Sequence, residues 1–222
     1  MTSKRTIFIG DIHGCYDEFM LLLEKLQVLK DETVYLVGDI INKGPKSYEV
    51  LDFVYQNRDQ FKAIKGNHEI NILKFIEGNT QGRTPAGIKD MQKTFEQIGD
   101  RIELIEYLRN LPLSIETPNF LMIHGGLIPG KDISDHHVDE ITRLREYEGQ
   151  PWHSYYTGEK PIIYGHWAVQ GLHITDNTIC LDSGCVYGKE LTAYILETKK
   201  IISQKALKQY KDPFKDYTSW KK

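Results

Sequence analysis

Five short segments of the sequence place Asp, Asn or His beside a glycine, and these residue types can bind metal ions. The segments are Gly10 to Gly14, Gly38-Asp39, Gly66-Asn67, His124-Gly125 and Gly165-His166. A single segment is weak evidence, because an Asp-x-His pattern such as the one in Gly10 to Gly14 also arises by chance. The recurrence of the pattern makes a shared metal site the stronger interpretation.

The donor atoms in these segments indicate which ions they would bind. They comprise carboxylate oxygens, one amide oxygen and imidazole nitrogens, and they include no thiolate. Such a set suits borderline to hard ions, with Mn as the first candidate and Fe, Zn, Co or Ni as alternatives, and it differs from a structural zinc site. The predicted ligands are Asp11, His13, Asp39, Asn67, His124 and His166.

Six ligands are more than one catalytic ion with an open coordination position needs. They suit two divalent ions roughly 3.5–4 Å apart that share one carboxylate and hold a bridging water acidic enough to be hydroxide. Such a pair serves in-line attack on phosphorus, because the incoming oxygen and the phosphoryl oxygens can both lie on the metals. His68 directly follows Asn67, so we expect it to border the site, where it could protonate the leaving oxygen.

A phosphate substrate also needs cations close to the metals. Lys43 is four residues from Asp39, and Arg143 and Arg145 follow the His124 segment. These three residues are the candidate phosphate ligands. Ordinary surface charge is the alternative explanation for each of them, and it is weakest for Lys43.

Each of the five segments comes after a short apolar run of the kind that forms a buried β-strand. The predicted strands are Thr6–Ile9, Val34–Val37, Ala63–Lys65, Phe120–Ile123 and Ile162–Tyr164. In α/β sheets, ligands bind in the crevice beyond the carboxyl ends of the strands. Core packing does not require a polar residue beside glycine at five strand ends, so we interpret these ends as one site.

The other periodic segments predict helices in the first half of the chain and strands in the second. Helices are predicted over Tyr16–Leu29, after Ser47 as a capping residue, after Asn67, over Ile88–Ile98 and over Ile102–Leu111. Further strands are predicted over Leu113–Glu116, Leu172–Ile174, Thr178–Leu181, Leu191–Glu197 and Lys200–Gln204. This order predicts an α/β (α+β) fold in which two sheets pack face to face as a β-sandwich, with helices outside.

The length of the chain fits one domain over residues 1–222, with 207–222 as a surface tail. The polar break from Gly78 to Pro85 is expected to be a mobile loop. The tail mixes lysines with Tyr210, Phe214, Tyr217 and Trp220. We favour a frayed or surface-packed terminus over a nucleic-acid contact for this tail.

Composition narrows the range of partners. A formal net charge of −3 gives no general attraction to DNA or to an anionic membrane. No apolar run approaches the 18 residues or so that span a bilayer. The three cysteines are too few for a disulfide scaffold and lack zinc-ribbon spacing. We therefore expect a cytoplasmic protein with reduced cysteines and with neither membrane nor DNA as a partner.

The five segments, taken in order, resemble the sequence blocks of calcineurin-like metallophosphoesterases of the phosphoprotein-phosphatase branch. The resemblance covers nearly the whole domain and implies a β-sandwich flanked by helices, with His68 as the general acid. The ligands that it implies are Asp11, His13 and Asp39 for the first metal, and Asp39, Asn67, His124 and His166 for the second.

Finer similarities point within that branch. Thr142–Arg145, Gly165–Ala168 and Leu181–Gly188 are similar to symmetrical diadenosine tetraphosphatases, and Asn42–Pro45 is similar to their ApaH-like relatives. Protein phosphatases of the branch have Asp-Arg where this chain has Asn42-Lys43. This difference removes the carboxylate expected to orient His68, and a lysine keeps the charge without the bidentate fork of arginine. Alignment to the family favours the first arginine of Thr142–Arg145 as the phosphate ligand.

Three functions are compatible with these residues. The first is hydrolysis of dinucleoside polyphosphates, such as diadenosine tetraphosphate to two ADP, with nucleotide-capped RNA ends as a further substrate. The second is serine/threonine-type phosphoprotein phosphatase or broad phosphomonoesterase activity. The third is an inactive metal-binding scaffold, and the presence of all six ligands together with His68 argues against it. The Asn42-Lys43 and Trp167-Ala168 pairs favour the first function over the second.

Overall fold

The computed structural model describes residues 4–213 of the chain. The helices in this range are α1 (Tyr16–Leu26), α2 (Ser47–Gln56), α3 (Asn67–Ile76), α4 (Pro85–Ile98), α5 (Ile102–Asn110) and α6 (Val138–Arg143). Short 3-10 helices occur at Ile133–Asp135, Trp152–Tyr155 and Cys185–Tyr187. The helices predicted for the first half are present, and α6 is an addition to them.

The strands are arranged in two five-stranded sheets and one hairpin. Their bounds are β1 (Thr6–Ile9), β2 (Thr33–Leu36), β3 (Phe61–Ala63), β4 (Ile115–Glu116), β5 (Leu121–Met122), β6 (Glu146–Tyr147), β7 (Gln150–Pro151), β8 (Ile162–Tyr164), β9 (His173–Ile174), β10 (Thr178–Cys180), β11 (Glu190–Ile195) and β12 (Lys200–Lys205). The first sheet has the order β12-β11-β1-β2-β3 and the second the order β4-β5-β8-β10-β9, while β6 and β7 pair as a hairpin. That hairpin was not predicted from the sequence.

Successive side chains of β1 point to opposite faces of the first sheet, and this shows how the layers pack. Ile7 and Ile9 join a buried cluster between the first sheet and its helices, whereas Phe8 faces the second sheet. Phe8 meets Phe120 there, edge to face, with 4.8 Å between ring centroids. A third cluster, which includes Trp152, covers the outer face of the second sheet. The predicted sandwich of two sheets with helices outside is therefore confirmed.

Strand direction gathers the functional loops at one edge. β1, β2 and β3 are parallel in the first sheet, and β5, β8 and β10 are parallel in the second. The loops after β1 and β2 are joined by a hydrogen bond from His13 N to Asp39 O at 2.8 Å. In the second sheet, Gly165 N donates to His124 O at 3.0 Å, and His166 N reaches across to the Asp11 carboxylate at 3.2 Å. The carboxyl ends of both sheets thus form a single surface.

The prediction that Ser47 caps α2 was wrong. The helix begins at Ser47 itself, after Lys46, and no side chain caps it. The Ser47 hydroxyl instead accepts a hydrogen bond from Asn42 N at 2.9 Å. Its role is therefore to hold the loop that carries Asn42 and Lys43.

Two helix boundaries differ from the sequence prediction by three residues. α1 ends at Leu26 because Gln27 adopts a left-handed conformation with φ of 47°, and Leu29 is left largely exposed. α4 begins at Pro85, ahead of the predicted Ile88, because Thr84 Oγ1 accepts a hydrogen bond from Gly87 N and proline suits the first helical position. The expected loop is therefore the connection between α3 and α4.

The first part of the predicted tail packs on the surface of the domain. Leu207 N donates to Glu18 Oε1 at 2.9 Å, and Tyr210 N donates to Val186 O at 3.0 Å. Phe214, Tyr217 and Trp220 lie outside the described residues. Among residues 4–213, no helix combines the length and the apolar character needed to cross a lipid bilayer.

Candidate active site

The structure brings the six predicted metal ligands together at the carboxyl ends of the strands. Each is almost completely buried, with at most 5% of its surface exposed. They follow five strands: Asp11 and His13 follow β1, Asp39 follows β2, Asn67 follows β3, His124 follows β5 and His166 follows β8. Both sheets therefore contribute ligands to the cluster.

Asp39 is at the centre of this cluster. Its Oδ2 atom lies 3.2 Å from His124 Nε2 and 3.7 Å from His13 Nε2. Asp39 belongs to two groups of three possible donor residues. Within each group, the donor atoms lie within 4.8 Å of one another. One group adds His124 and His166, and the other adds His13 and His68. The second group contains His68 where the predicted ligand set has Asp11, whose Oδ2 atom lies 4.0 Å from His13 Nε2. The two predicted ligand sets share Asp39, and a shared carboxylate is the arrangement that two neighbouring ions require.

Backbone carbonyls orient two of the imidazoles. His124 Nδ1 lies 2.8 Å from Val37 O, and His13 Nδ1 lies 3.3 Å from Ile41 O. A carbonyl can only accept a hydrogen bond, so the proton of each neutral ring is held at Nδ1. The lone pair of each Nε2 atom then points toward the Asp39 carboxylate, as a metal ligand requires.

Buried negative charge is concentrated at the same place. Burial and the neighbouring carboxylates of Asp182 and Asp39 raise the pKa of Asp11 well above its ordinary value. Burial also raises the pKa of Asp182 to about 6, although Lys43 opposes the shift. Burial acts in the same direction on Asp39, but imidazoles led by His124 bring its pKa well below the ordinary value. Carboxylates crowded in this way favour divalent cations among them, so the donor set fits a pair of such ions.

Asp182 is a site residue that the sequence analysis did not select. It follows β10, is 3% exposed and lines the same small pocket as the predicted ligands. The sequence did contain a feature that could have identified it, because Asp182 also follows a buried strand. It differs from the five selected segments in that the glycine stands two residues later, at Gly184.

Close approach explains why glycine stands beside the ligands. A Cβ atom on Gly66 would lie 2.1 Å from Asp39 Oδ1, and one on Gly165 would lie 2.1 Å from Asp11 Oδ1. Any side chain at either position would displace a carboxylate of the cluster. The glycines are thus part of the geometry of the site.

The backbone of the site is strained. In the described part of the chain, eight residues other than glycine have positive φ, and five of them belong to the site. These five are His13, Asp39, Asn42, Lys43 and His166. Left-handed backbone costs energy at such residues and tends to occur at functional positions, where the surrounding structure enforces it.

Glu69 holds the loop that presents Asp39. Its carboxylate accepts hydrogen bonds from the backbone N–H groups of Asp39, Ile40 and Gly66 at 2.7–2.9 Å. Burial and the charge of Asp39 raise the pKa of Glu69 to about 7. No role was predicted for Glu69 from the sequence, although its position three residues after Gly66, at the start of α3, is typical of a capping box.

His68 lies at the edge of the cluster and is held by an amide. Its Nε2 atom is 4.0 Å from Asp39 Oδ2, and its Nδ1 atom is 2.8 Å from Asn42 Nδ2. Thr94 Oγ1 donates to Asn42 Oδ1 at 3.0 Å, which sets the orientation of the amide. Burial lowers the pKa of His68 well below its ordinary value, and Asp39 acts against that shift.

The three predicted phosphate ligands occupy two neighbouring places. Lys43 and Arg145 line the pocket over the metal ligands; Lys43 Nζ donates to Tyr187 Oη at 2.7 Å, and Arg145 Nη2 donates to His166 O at 3.0 Å. Arg143 lines an adjoining cleft, where it donates to Asn71 Oδ1 at 2.6 Å. The structure thus distributes positive charge beyond the ligand cluster.

Comparison with known families agrees with this geometry. The model of the calcineurin-like phosphoesterases matches residues 4–202, which is most of the chain and includes all six predicted ligands. The chain belongs to this family. It is therefore a hydrolase of the metallophosphoesterase class, with the divalent-metal chemistry that the family implies.

Relatives with assigned activities are similar over their whole length. The symmetrical bis(5'-nucleosyl)-tetraphosphatase of Pasteurella multocida (strain Pm70) is 29% identical over 93% of this chain and 99% of its own. The enzyme of the same name from Vibrio vulnificus (strain YJ016) is 28% identical over 90% of this chain and 97% of its own. The crystal structure of a protein provisionally named diadenosine tetraphosphatase has a TM-score of 0.80 and 29% identity, covering 92% of this chain and 95% of that one.

Proposed function

We propose that this phosphoesterase hydrolyses dinucleoside polyphosphates, with symmetric cleavage of diadenosine tetraphosphate to two ADP as its reaction. The observation that carries the proposal is the extent of positive charge around the ligand cluster. Lys43 and Arg145 lie over the ligands, and Arg143 lies in the adjoining cleft. A phosphate monoester needs neutralisation at one phosphoryl group, whereas an extended tetraphosphate also needs it at the flanking phosphates. The similarity to symmetrical tetraphosphatases supports the same substrate class.

The donor set suits two divalent ions, with Mn as the first candidate. One ion would be held by Asp11, His13 and Asp39, and the second by Asp39, Asn67, His124 and His166. When bound, such a pair polarises the phosphoryl oxygens and lowers the pKa of a nearby water molecule. Asp182 adds negative charge beside Asp11 and favours the binding of cations there.

His68 is proposed to protonate the leaving oxygen. The Asn42 side-chain nitrogen can only donate, so His68 Nδ1 must accept, and the proton of the neutral ring lies on Nε2. That atom faces the ligand cluster, where the bridging oxygen between two phosphates would lie. Hydrolysis transfers the hydroxyl of water to one phosphoryl group, and the other ADP departs with the bridging oxygen. His68 Nε2–H donates to that oxygen, and the proton that the attacking water gives up replaces the one that His68 passes on, so the ring is neutral again at the end of the step.

The flanking cations have a complementary role. Lys43 and Arg145 are positioned to bind the phosphoryl group under attack, and Arg143 is positioned to bind a phosphate next to it. Nucleotide-capped RNA ends carry the same kind of polyphosphate bridge, so they form a second substrate class within this proposal.

Product analysis tests the proposal. Metal-loaded protein is incubated with diadenosine tetraphosphate, a nucleoside monophosphate and a serine phosphopeptide in parallel, and the products are separated by chromatography. We expect ADP as the sole nucleotide product of the first substrate and slower release of phosphate from the other two. AMP together with ATP would contradict symmetric cleavage. An absence of nucleotide products beside brisk phosphopeptide hydrolysis would instead identify a phosphoprotein phosphatase.

A further inference from the structure

A cleft of about 240 Å³ lies beside the ligand cluster, between the α3–α4 connection, the first turns of α4 and the end of α6. We call it the α4 cleft; its lining includes Lys43, His68, Arg83, Met91 and Arg143. Lys43, Asn67 and His68 line both this cleft and the pocket over the metal ligands. The cleft therefore begins at the imidazole proposed to protonate the leaving oxygen.

The charges in the α4 cleft are predominantly positive. Lys43, Arg83 and Arg143 contribute three cations, and Arg143 is paired at 2.9 Å with Asp139, which is not among the lining residues. Asp90 is the only carboxylate among the lining residues, all of which lie within the described range, and it is paired with Lys211. The net charge of the cleft thus favours an anionic occupant.

Arg83 is the cation for which the fold offers no evident use. It is half-buried, and within residues 4–213 its guanidinium makes neither a hydrogen bond nor an ion pair. Burial and the neighbouring Arg143 lower its pKa, although Asp139 opposes this shift. Two guanidinium groups at one cleft repel each other, and an anion bound between them would remove that repulsion.

The backbone around Arg83 fixes its position. Arg83 N donates to Thr80 O at 3.1 Å, and the next residue, Thr84, is the N-cap of α4, where it accepts from Gly87 N at 3.1 Å. Arg83 therefore sits on an ordered turn at the start of a helix. The backbone that carries this side chain is therefore held at the wall of the cleft.

We propose that the α4 cleft binds the polyphosphate of the departing nucleotide, and that Arg83 contacts the phosphate beyond the bond that is cut. This inference rests on the proposed function, because it takes the occupant to be a nucleoside diphosphate leaving group. The leaving oxygen must lie at His68, and the α4 cleft is the cationic space that continues from His68. Arg83 is then a determinant of specificity for polyphosphates over monoesters.

Inhibition by product-like probes tests this proposal without relying on cleavage of the dinucleotide. ADP, pyrophosphate and inorganic phosphate are each titrated against hydrolysis of nitrophenyl phosphate by the metal-loaded protein. Arg83→Ala is expected to raise the inhibition constant for ADP and pyrophosphate about 10- to 100-fold, and that for phosphate much less. Arg83→Lys should recover part of the loss, because lysine keeps the charge without the planar fork.

A matched control removes a cation from the same helix. Lys89 is exposed on α4 and is not among the residues lining the cleft, so Lys89→Ala should leave all three inhibition constants unchanged. Equal changes for ADP and phosphate in Arg83→Ala, or no change in either, would overturn the proposal. Weakened ADP inhibition in a protein that does not produce ADP from diadenosine tetraphosphate would leave the cleft assignment standing and overturn the proposed function. If the protein produces ADP but Arg83→Ala leaves the inhibition constants unchanged, the cleft assignment is overturned and the proposed function stands.

Discussion

Asn42 Nδ2 lies 2.8 Å from His68 Nδ1, so an amide orients this imidazole where related protein phosphatases are expected to have a carboxylate. An amide nitrogen donates to Nδ1 and keeps the ring proton on Nε2, whereas a carboxylate would accept a proton from Nδ1. Thr94 holds the amide through its hydroxyl, and Thr94 is buried in α4. The tautomer of His68 thus depends on a helix that has no metal ligand in it.

Thr94→Val should disturb this orientation while keeping the shape of the side chain. It removes the donor to Asn42 Oδ1, so the amide is free to turn and His68 loses its fixed tautomer. We expect turnover to fall about tenfold for substrates with poor leaving groups, which depend most on protonation, and less for nitrophenyl phosphate. Thr178→Val is the control, since it removes a buried threonine hydroxyl of the second sheet, which bonds to Thr175 and Tyr164 and not to Asn42. If Thr94→Val and Thr178→Val lowered turnover equally for every leaving group, a role for Thr94 in positioning His68 would be contradicted.

His68→Asn should leave the metal content unchanged and lower turnover by roughly 10²–10⁴-fold for poor leaving groups. The loss should shrink with nitrophenyl phosphate, because its leaving group needs little protonation. Steady-state rates across a series of substituted phenyl phosphates, with metal content measured on the same samples, provide the check. A loss that is independent of leaving-group pKa would remove His68 from the acid role.

Asp39→Asn should be the most damaging change among the ligands, because this carboxylate belongs to both groups of donors. Chelated wild-type protein should be inactive and should recover with a divalent transition ion, most readily Mn. Metal content by elemental analysis and turnover of nitrophenyl phosphate are the measurements. Asp59→Asn, at an exposed position, controls for the loss of a charge. Binding of at most one ion per wild-type chain, together with turnover by Asp39→Asn, would disprove the two-ion site.

Arg143→Ala should weaken cleavage of diadenosine tetraphosphate more than cleavage of nitrophenyl phosphate. Its guanidinium lines the α4 cleft, away from the phosphoryl group under attack, so a monoester gains less from it. We expect kcat/KM for the dinucleotide to fall about 10- to 100-fold, as for loss of a hydrogen bond to a charged group. Arg109→Ala, an exposed arginine paired with Glu77, is the control. A uniform loss with both substrates would mean that Arg143 acts on the attacked phosphoryl group itself.

Glu32→Gln should destabilise the fold through a contact remote from the site. Glu32 accepts hydrogen bonds from Arg5 at 2.5 and 2.6 Å and from Leu29 N at 2.8 Å, and the Arg5 bond lowers the pKa of Glu32. A lowered pKa stabilises the folded state above the ordinary value of 4.5, and the contribution disappears as the pH falls through the folded-state pKa. We expect a loss of about 1–2 kcal/mol in the free energy of unfolding at pH 7. Urea titrations at pH 7 and pH 3 should show the difference between variant and wild type shrinking at the lower pH.

The gathering of the predicted ligands could be anticipated because it follows from local rules. A buried strand, a glycine and a polar residue occur within a few positions of one another, and parallel strands bring their carboxyl ends to one edge. Asp182 was not predicted because its glycine comes two residues later. Ser47 was wrongly predicted to cap α2, because its hydroxyl accepts a hydrogen bond from Asn42 N instead. α6 has only six residues, too few for a clear helical period.

The surroundings of the α4 cleft could not be predicted, because they depend on how α3, α4 and α6 pack. Arg83 and Arg143 are sixty residues apart in the sequence and line one cleft only after folding. Nothing near Thr94 in the sequence indicates that it fixes an amide in the loop after β2. Sequence patterns thus identified the residues that could bind metal, whereas the residues that orient them required the fold.

Both sheets carry predicted ligands of the same cluster, so the binding of an ion would have a second effect. Asp39 follows β2 of the first sheet and His124 follows β5 of the second, so an ion held by both would join the two layers at that edge. An ion that binds only the folded chain raises the melting temperature with its free concentration. A cell short of that ion would therefore contain less of the protein, because the fold without the ion opens more often and is cleaved by proteases. The protein that remained would also be less active.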